Sequence, residues 1–197
     1  MIFGDPSKFA IQMDVVEEWS SPPTFIEGVV NVYINDNLLN NDFVWTSSIC
    51  QDYIDIVDGV LNNPPDVKKE IFSADVLDIL PAIMKARYPW YVFDSKAEYE
   101  GKPDEWWDDV DEDLSKEATF ETLKKFRQKL FVIKFEGMVR LITLKFDLNE
   151  RDYIDLSKFD YANVREVTVD VKYLSGLVKM VSDWHQGMMK YYTRQQC

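Results

Sequence analysis

Histidine occurs once in this sequence, cysteine twice and glycine seven times, and these shortages narrow the chemistry before any pattern is read. With His185 alone, two-histidine zinc sites are ruled out within the chain, and any serine or cysteine nucleophile has one imidazole base to call on. Cys50 and Cys197 form neither a disulfide framework nor a metal-ligand cluster, so a reducing cytoplasm is expected. Neither GxGxxG nor GxxxxGK(S/T) is present, which removes the glycine-rich phosphate loops. Apolar runs of about 18 residues are missing, and MIFGDPSKFAIQMD has no basic segment followed by a long apolar one. A mature, soluble chain with no membrane partner is expected.

What is present is apolar material and negative charge. The 197 residues are 46 % hydrophobic and 14 % aromatic, enough to fold as one domain spanning residues 1–197 despite a net charge of −13. That charge repels phosphates and anionic lipid and attracts basic proteins, so nucleic acid is not expected as a partner.

Hydrophobic periodicity divides the chain. Phe9, Ile11, Met13 and Val15 alternate as in a half-buried strand over residues 9–19, and VVNVYI forms a second strand. Asn35, Asp36 and Asn37 tolerate left-handed backbone and mark a hairpin, with Leu38 and Leu39 returning. Helices follow over residues 47–61, stopped by Pro64 and Pro65, and over 73–87, with Val76, Leu77, Leu80, Ile83 and Met84 as the buried stripe. Pro81 is expected to kink or divide the second helix. A helical pattern over 117–130 uses Phe120, Leu123 and Phe126. LFVIKF, a turn at Glu136 and Gly137, MVRLITLKFD and REVTVDV then read as three strands of a meander. The last helix, 172–192, carries Leu174, Leu177, Val178, Val181, Trp184, Met188 and Tyr192 on one side. The expectation is an α+β fold with a mainly antiparallel sheet, a central helical segment and a C-terminal helix packed on the sheet.

The segment PDEWWDDVDEDL, residues 103–114, holds seven carboxylates, two adjacent tryptophans and no lysine or arginine. Asp109, Asp111 and Asp113 match the first, third and fifth ligand positions of a calcium loop. The match then fails, because the glycine position is Leu114 and the bidentate glutamate position is Phe120. A helix fits better: Val110 and Leu114 follow Trp106 or Trp107 at steps of three and four. In that helix Asp104/Asp108, Glu105/Asp109, Asp108/Glu112 and Asp109/Asp113 are like-charge pairs. Each pair costs roughly 0.2–0.5 kcal/mol, about 1–2 kcal/mol together before salt screening. A solvated acidic face explains such a run without function. A partner-binding role explains it too, with the indole rings as anchors and Asp108, Asp109, Asp111, Glu112 and Asp113 pairing with lysine or arginine.

Other constellations say less. Cys50 with His185 would make a nucleophile and base only if the fold joined them, and paired carboxylates select nothing among 35 acids. Trp45, Trp90 and Tyr91 read as core aromatics before they read as a stacking site, and Met188 and Met189 as gap-filling core before a groove.

MIFGDPSKFAIQMDV, with Gly4, Pro6, Phe9, Ala10 and Ile11, followed by VNVYINDNLL, resembles the start of immunity proteins of family forty-two from bacterial polymorphic-toxin systems. PDEWWDDVDEDL and REVTVDVKYLSGLVKMVSDWHQ look like that family as well, so the resemblance covers most of the chain. One departure is the hairpin, where relatives carry glycines and this chain has Asn35, Asp36, Asn37 and Leu38. The resemblance implies a cytoplasmic protein that blocks a cognate toxin, with no catalytic residues, cofactor or metal. The expected interface is Trp106, Trp107, Asp108, Asp109, Asp111, Glu112 and Asp113 against a basic toxin, and the phosphate-binding cleft of a nuclease would match it. The rival readings are a carboxylate- or metal-dependent hydrolase and a general acidic module that mimics DNA.

Overall fold

The computed structural model describes residues 1–22, 24–39, 46–61, 64–88, 91–100, 116–119, 121–145 and 153–194. In chain order the strands are β1 Ile2–Gly4, β2 Phe9–Val15, β3 Glu27–Ile34, β4 Asn37–Leu38, β5 Ser47–Ser48, β6 Val92–Phe93, β7 Lys116–Glu117, β8 Gln128–Phe135, β9 Met138–Lys145, β10 Ile154–Asp155 and β11 Arg165–Asp170. The helices are α1 Ile49–Ile56, α2 Lys69–Ser73, α3 Val76–Arg87, α4 Lys96–Glu100, α5 Glu121–Lys125 and α6 Val171–Arg194.

Two antiparallel sheets result. The first has the order β1-β2-β3-β4, with β5 also paired to β3. The second has the order β11-β9-β8-β7, so the expected three strands are present with a fourth, β7, at the edge. A parallel pair, β10-β6, lies apart from both. This is the expected α+β architecture.

The second sheet is central because β8 and β9 are apolar on both faces. Leu130, Val132, Val139 and Leu141 point to one side, into a core with Phe9, Ile11 and Met13 of β2, Val30, Val32 and Ile34 of β3, and the stripe of α6. Phe131, Ile133, Ile142 and Leu144 point to the other side, against Leu80, Ile83 and Met84 of α3 and Val92 of β6. Successive side chains of a strand alternate faces, so an unbroken apolar run must be covered twice.

The first sheet needs covering once. In β3, buried and half-buried residues alternate without exception. On its outer face Gln12 Oε1 accepts hydrogen bonds from Asn31 Nδ2 at 3.2 Å and Tyr33 OH at 3.0 Å. The hairpin after β3 has φ of 48° at Asn35 and 61° at Asp36, so both central residues are left-handed, which Asn and Asp tolerate. At Gly4, φ is +90° and a Cβ would lie 2.6 Å from the Phe9 carbonyl oxygen and 2.7 Å from Leu177, so only glycine lets β1 approach α6 here.

Several local expectations change. The strand proposed for 9–19 ends at Val15, and Glu17–Trp19 is a 3₁₀ turn. The helix proposed from residue 47 begins at Ile49, capped by Ser48, and widens to a π-turn over Val57–Leu61. The helix of 73–87 is divided at Ala74 and Asp75, not at Pro81, since Asp75 caps α3 by accepting from Leu77 N at 2.8 Å. Pro81 sits within α3, where the carbonyl it leaves unpaired belongs to Leu77, a residue 49 % exposed and open to water. Leu77 therefore leaves the expected stripe and Ile79 joins it. The helix expected over 117–130 is instead β7, the one-turn α5 and the start of β8.

Asp52 of α1 is fully buried beside α5. Its carboxylate accepts from Thr122 N at 2.9 Å and Thr122 Oγ1 at 2.6 Å, and Thr122 Oγ1 also contacts Ser47 Oγ. Burial raises its pKa, and the Thr122 hydrogen bonds offset part of that rise. A raised native pKa means stability that is complete when the acid is protonated and is lost as pH rises through the native value. Asp52→Ala is expected to cost about 1–3 kcal/mol by stranding Thr122. Asp52→Asn is expected to gain on the parent as pH rises from about 4 to 7 in urea unfolding, because it carries no charge to bury.

Candidate partner-binding surfaces

Trp106, Trp107, Asp108, Asp109, Asp111, Glu112 and Asp113 all lie in residues 101–115, outside the described residues. The structure describes the chain on both sides of them, and both sides are fastened to one place. Before the run, Lys85 Nζ donates to Asp94 Oδ2 at 2.5 Å and lies 3.8 Å from Glu98 Oε2, which accepts from Asp94 N at 2.6 Å. After it, Glu117 Oε2 accepts from Tyr88 OH at 2.6 Å and lies 3.6 Å from Arg87 Nε. Glu117 Oε1 accepts from Lys129 Nζ at 3.0 Å, and that ammonium stands 5.3 Å from the centre of the Tyr88 ring. Lys85, Arg87 and Tyr88 belong to the last turn of α3 or directly follow it, so one helix end holds acids from both flanks.

Glu117 pairs in β7 with Phe131 of β8, which holds its backbone on the central sheet. Burial would raise its pKa, but the hydrogen bonds from Tyr88 and Lys129 outweigh that and lower it. The same contact pushes the Tyr88 hydroxyl up, by burial first and then by the neighbouring carboxylate.

A second surface lies where α6 crosses the first sheet. Met1, Met13, Val15, Trp184, Tyr191 and Tyr192 border an open groove of about 540 Å³, with Gly187 and Met188 on the helix side. Trp184 lies against Phe3, with ring centres 5.6 Å apart. The helix stripe read from the sequence is buried as expected at Leu174, Leu177, Val178, Val181, Met188 and Tyr192, while Trp184 is half-buried. The sequence reading missed the groove. Its signal was available: Tyr191 is a large aromatic residue off the buried stripe, and it is 51 % exposed.

The residues read as possible chemistry are packed into structure. His185 stacks on Tyr53 with ring centres 3.8 Å apart and planes 9° apart. Cys50 Sγ faces Met189 Sδ at 4.0 Å. Burial raises the Cys50 pKa and lowers that of His185, which favours neutral thiol and neutral imidazole, the reverse of an activated ion pair. Among the described residues no three His, Cys, Asp or Glu side chains gather as metal ligands, and no helix is long and apolar enough to cross a membrane. Tyr91 is half-buried against the α3 core, while Trp45 and Trp90 lie outside the described residues.

The anchoring of the acidic run gives a pH-dependent expectation. A lowered native pKa at Glu117 contributes stability above its ordinary value near 4.3, lost as pH falls through the native one. Glu117→Gln is expected to cost about 1–3 kcal/mol at pH 7 in denaturant unfolding, with the difference from the parent shrinking below about pH 4.

Comparison with known proteins shows the family. The family model for immunity protein 42 matches residues 1–184. Among solved structures, the crystal structure of CdiI from Burkholderia dolosa AUO158 is similar to the chain, with a TM-score of 0.63 over 93 % of this chain and 99 % of that one. The identity is 18 %, so this likeness concerns the fold. Among curated proteins, none matches the sequence. The chain belongs to the immunity protein 42 family, and it acts as a non-enzymatic immunity protein that neutralises a toxin.

Proposed function

We propose that the protein works in the cytoplasm, stoichiometrically, by covering a basic face of its cognate toxin with the acidic run. Trp106 and Trp107 supply anchor area, and Asp108, Asp109, Asp111, Glu112 and Asp113 steer the approach and pair with lysine or arginine. The observation that carries this reading is seven carboxylates in twelve residues without one basic residue, in a chain of net charge −13. Repulsion within such a run works against folding, and natural sequences keep local conflicts of this kind where another requirement is met.

A nuclease-type toxin suits the reading. The cleft of such a protein must attract phosphate, so a carboxylate surface fits the same field and excludes the substrate. The fastening of both flanks to the end of α3 adds to this, because a binding segment whose ends are held loses less freedom on docking.

The test changes charge and leaves shape. Replacing Asp108, Asp109, Asp111 and Asp113 with Asn and Glu112 with Gln is expected to slow association with the toxin domain encoded beside this gene by about 10-fold or more at low salt, and to flatten its dependence on ionic strength. Protection of growth on co-expression should weaken in parallel. Unchanged association and protection would place the interface elsewhere.

A further inference from the structure

The groove between α6 and the first sheet has a volume of about 540 Å³ and is open to solvent. Along α6, Met180, Trp184, Gly187 and Tyr191 recur at steps of four, three and four, so they form one line beside the buried stripe. Burying Tyr191 would stabilise the fold, yet it lines the groove and is about half exposed. Gly187 lines the groove, and among the described residues nothing lies within 4 Å of the position a Cβ would take there. Across from the helix, Met1 is 60 % exposed and its neighbour Ile2 is 49 % exposed. Apolar side chains left beside solvent in one groove offer a place for a partner's side chain.

Charge selects the occupant. Asp14, which lines the groove, is already paired with the Met1 ammonium, so the free acids are those of the Glu17–Trp19 turn, which follows the lining residue Val15. Glu17 and Glu18 are exposed and have no ion-pair partner among the described residues, and Trp19 beside them is 38 % exposed. A second copy of the chain could offer Lys190 and Arg194, but it would bring another net charge of −13 to the same rim. A basic partner neutralises the rim without that repulsion.

We infer that this groove is a toxin-docking surface separate from the acidic run: it takes a large apolar side chain from a basic stretch of the toxin, whose lysine or arginine residues pair with Glu17 and Glu18. The pairing of apolar anchor and flanking charge gives the contact both residence time and orientation.

The experiment uses the full chain and the inactivated toxin domain encoded beside its gene. Gly187→Gln fills the groove and Tyr191→Glu places a charge in it. Each is expected to weaken binding by about 10- to 100-fold. Gly187→Gln should not lower the melting temperature, because the described residues leave space there and glutamine is the better helix former, whereas Tyr191→Glu also gives up the ring contact with Tyr192 and serves as the second variant. A Glu17→Lys, Glu18→Lys double variant should slow association and reverse part of its salt dependence. Parent-like affinity in all three variants overturns the inference, whatever the Asn and Gln variant of residues 108–113 does. Loss of binding in that variant alone keeps the acidic run and removes the groove. Loss in the groove variants alone does the opposite. Light scattering that shows a dimer dispersed by Gly187→Gln, with toxin affinity unchanged, assigns the groove to a second copy and also overturns the inference.

Discussion

The structure depends on the burial of β8 and β9 on both faces at once. Leu130, Val132, Val139 and Leu141 require one cover and Phe131, Ile133, Ile142 and Leu144 another, so the chain must place material on both sides of the sheet. The first sheet, α1 and α6 cover one side, and α3 with the segment around β6 and β10 covers the other. At roughly 25 cal/mol per Å² of apolar surface removed from water, these two packings dominate everything the polar contacts add. The hairpin between the strands turns at Glu136 and Gly137, with φ of 46° and 79°, which fixes the register that sends each side chain to its proper face.

Polar groups at the boundaries of the two cores decide how the outer pieces attach. Arg140, 5 % exposed, lies on the α3 side of β9 and donates to the carbonyls of Phe72 and Ala74 at 2.8 Å and to Glu166 at 2.5 Å. It ties the gap between α2 and α3 to the strand edge. Asp52 ties α1 to α5 in the same manner, and Glu117 ties β7 to the end of α3. Each is a buried or half-buried charge with its hydrogen bonds filled, so removing a partner would cost more than the bond itself contributes.

An inhibitor that acts by occupation needs surface rather than a reacting centre, and the molecule is built accordingly. Its histidine and described cysteine are spent on packing, against Tyr53 and Met189. Its charge is spread over faces that the cores leave free. The two surfaces proposed for the toxin differ in character: a carboxylate run whose flanks share one anchor, and an apolar groove with an acidic end. Charge sets the rate of encounter and apolar contact sets the lifetime, so the two are complementary in effect.

The sequence by itself determined the fold class, the central strands, the turn at Glu136 and Gly137, the left-handed hairpin at Asn35 and Asp36, and the stripe of α6. All of these follow from local periodicity or backbone preference extending over several residues. The family was legible in the N-terminal resemblance. What only the tertiary structure decided were features carried by too few residues to show a period. Phe120, Leu123 and Phe126 were spaced like a long helix, but α5 is a single turn, because the neighbouring residues pair with β8 as β7 or belong to β8 itself. The exposure of Leu77, the convergence of Asp94, Glu98 and Glu117 on one helix end, and the groove beside Tyr191 depend on which elements lie side by side. Residues far apart in the chain meet there through sheet pairing and core packing, and no local pattern encodes their distance.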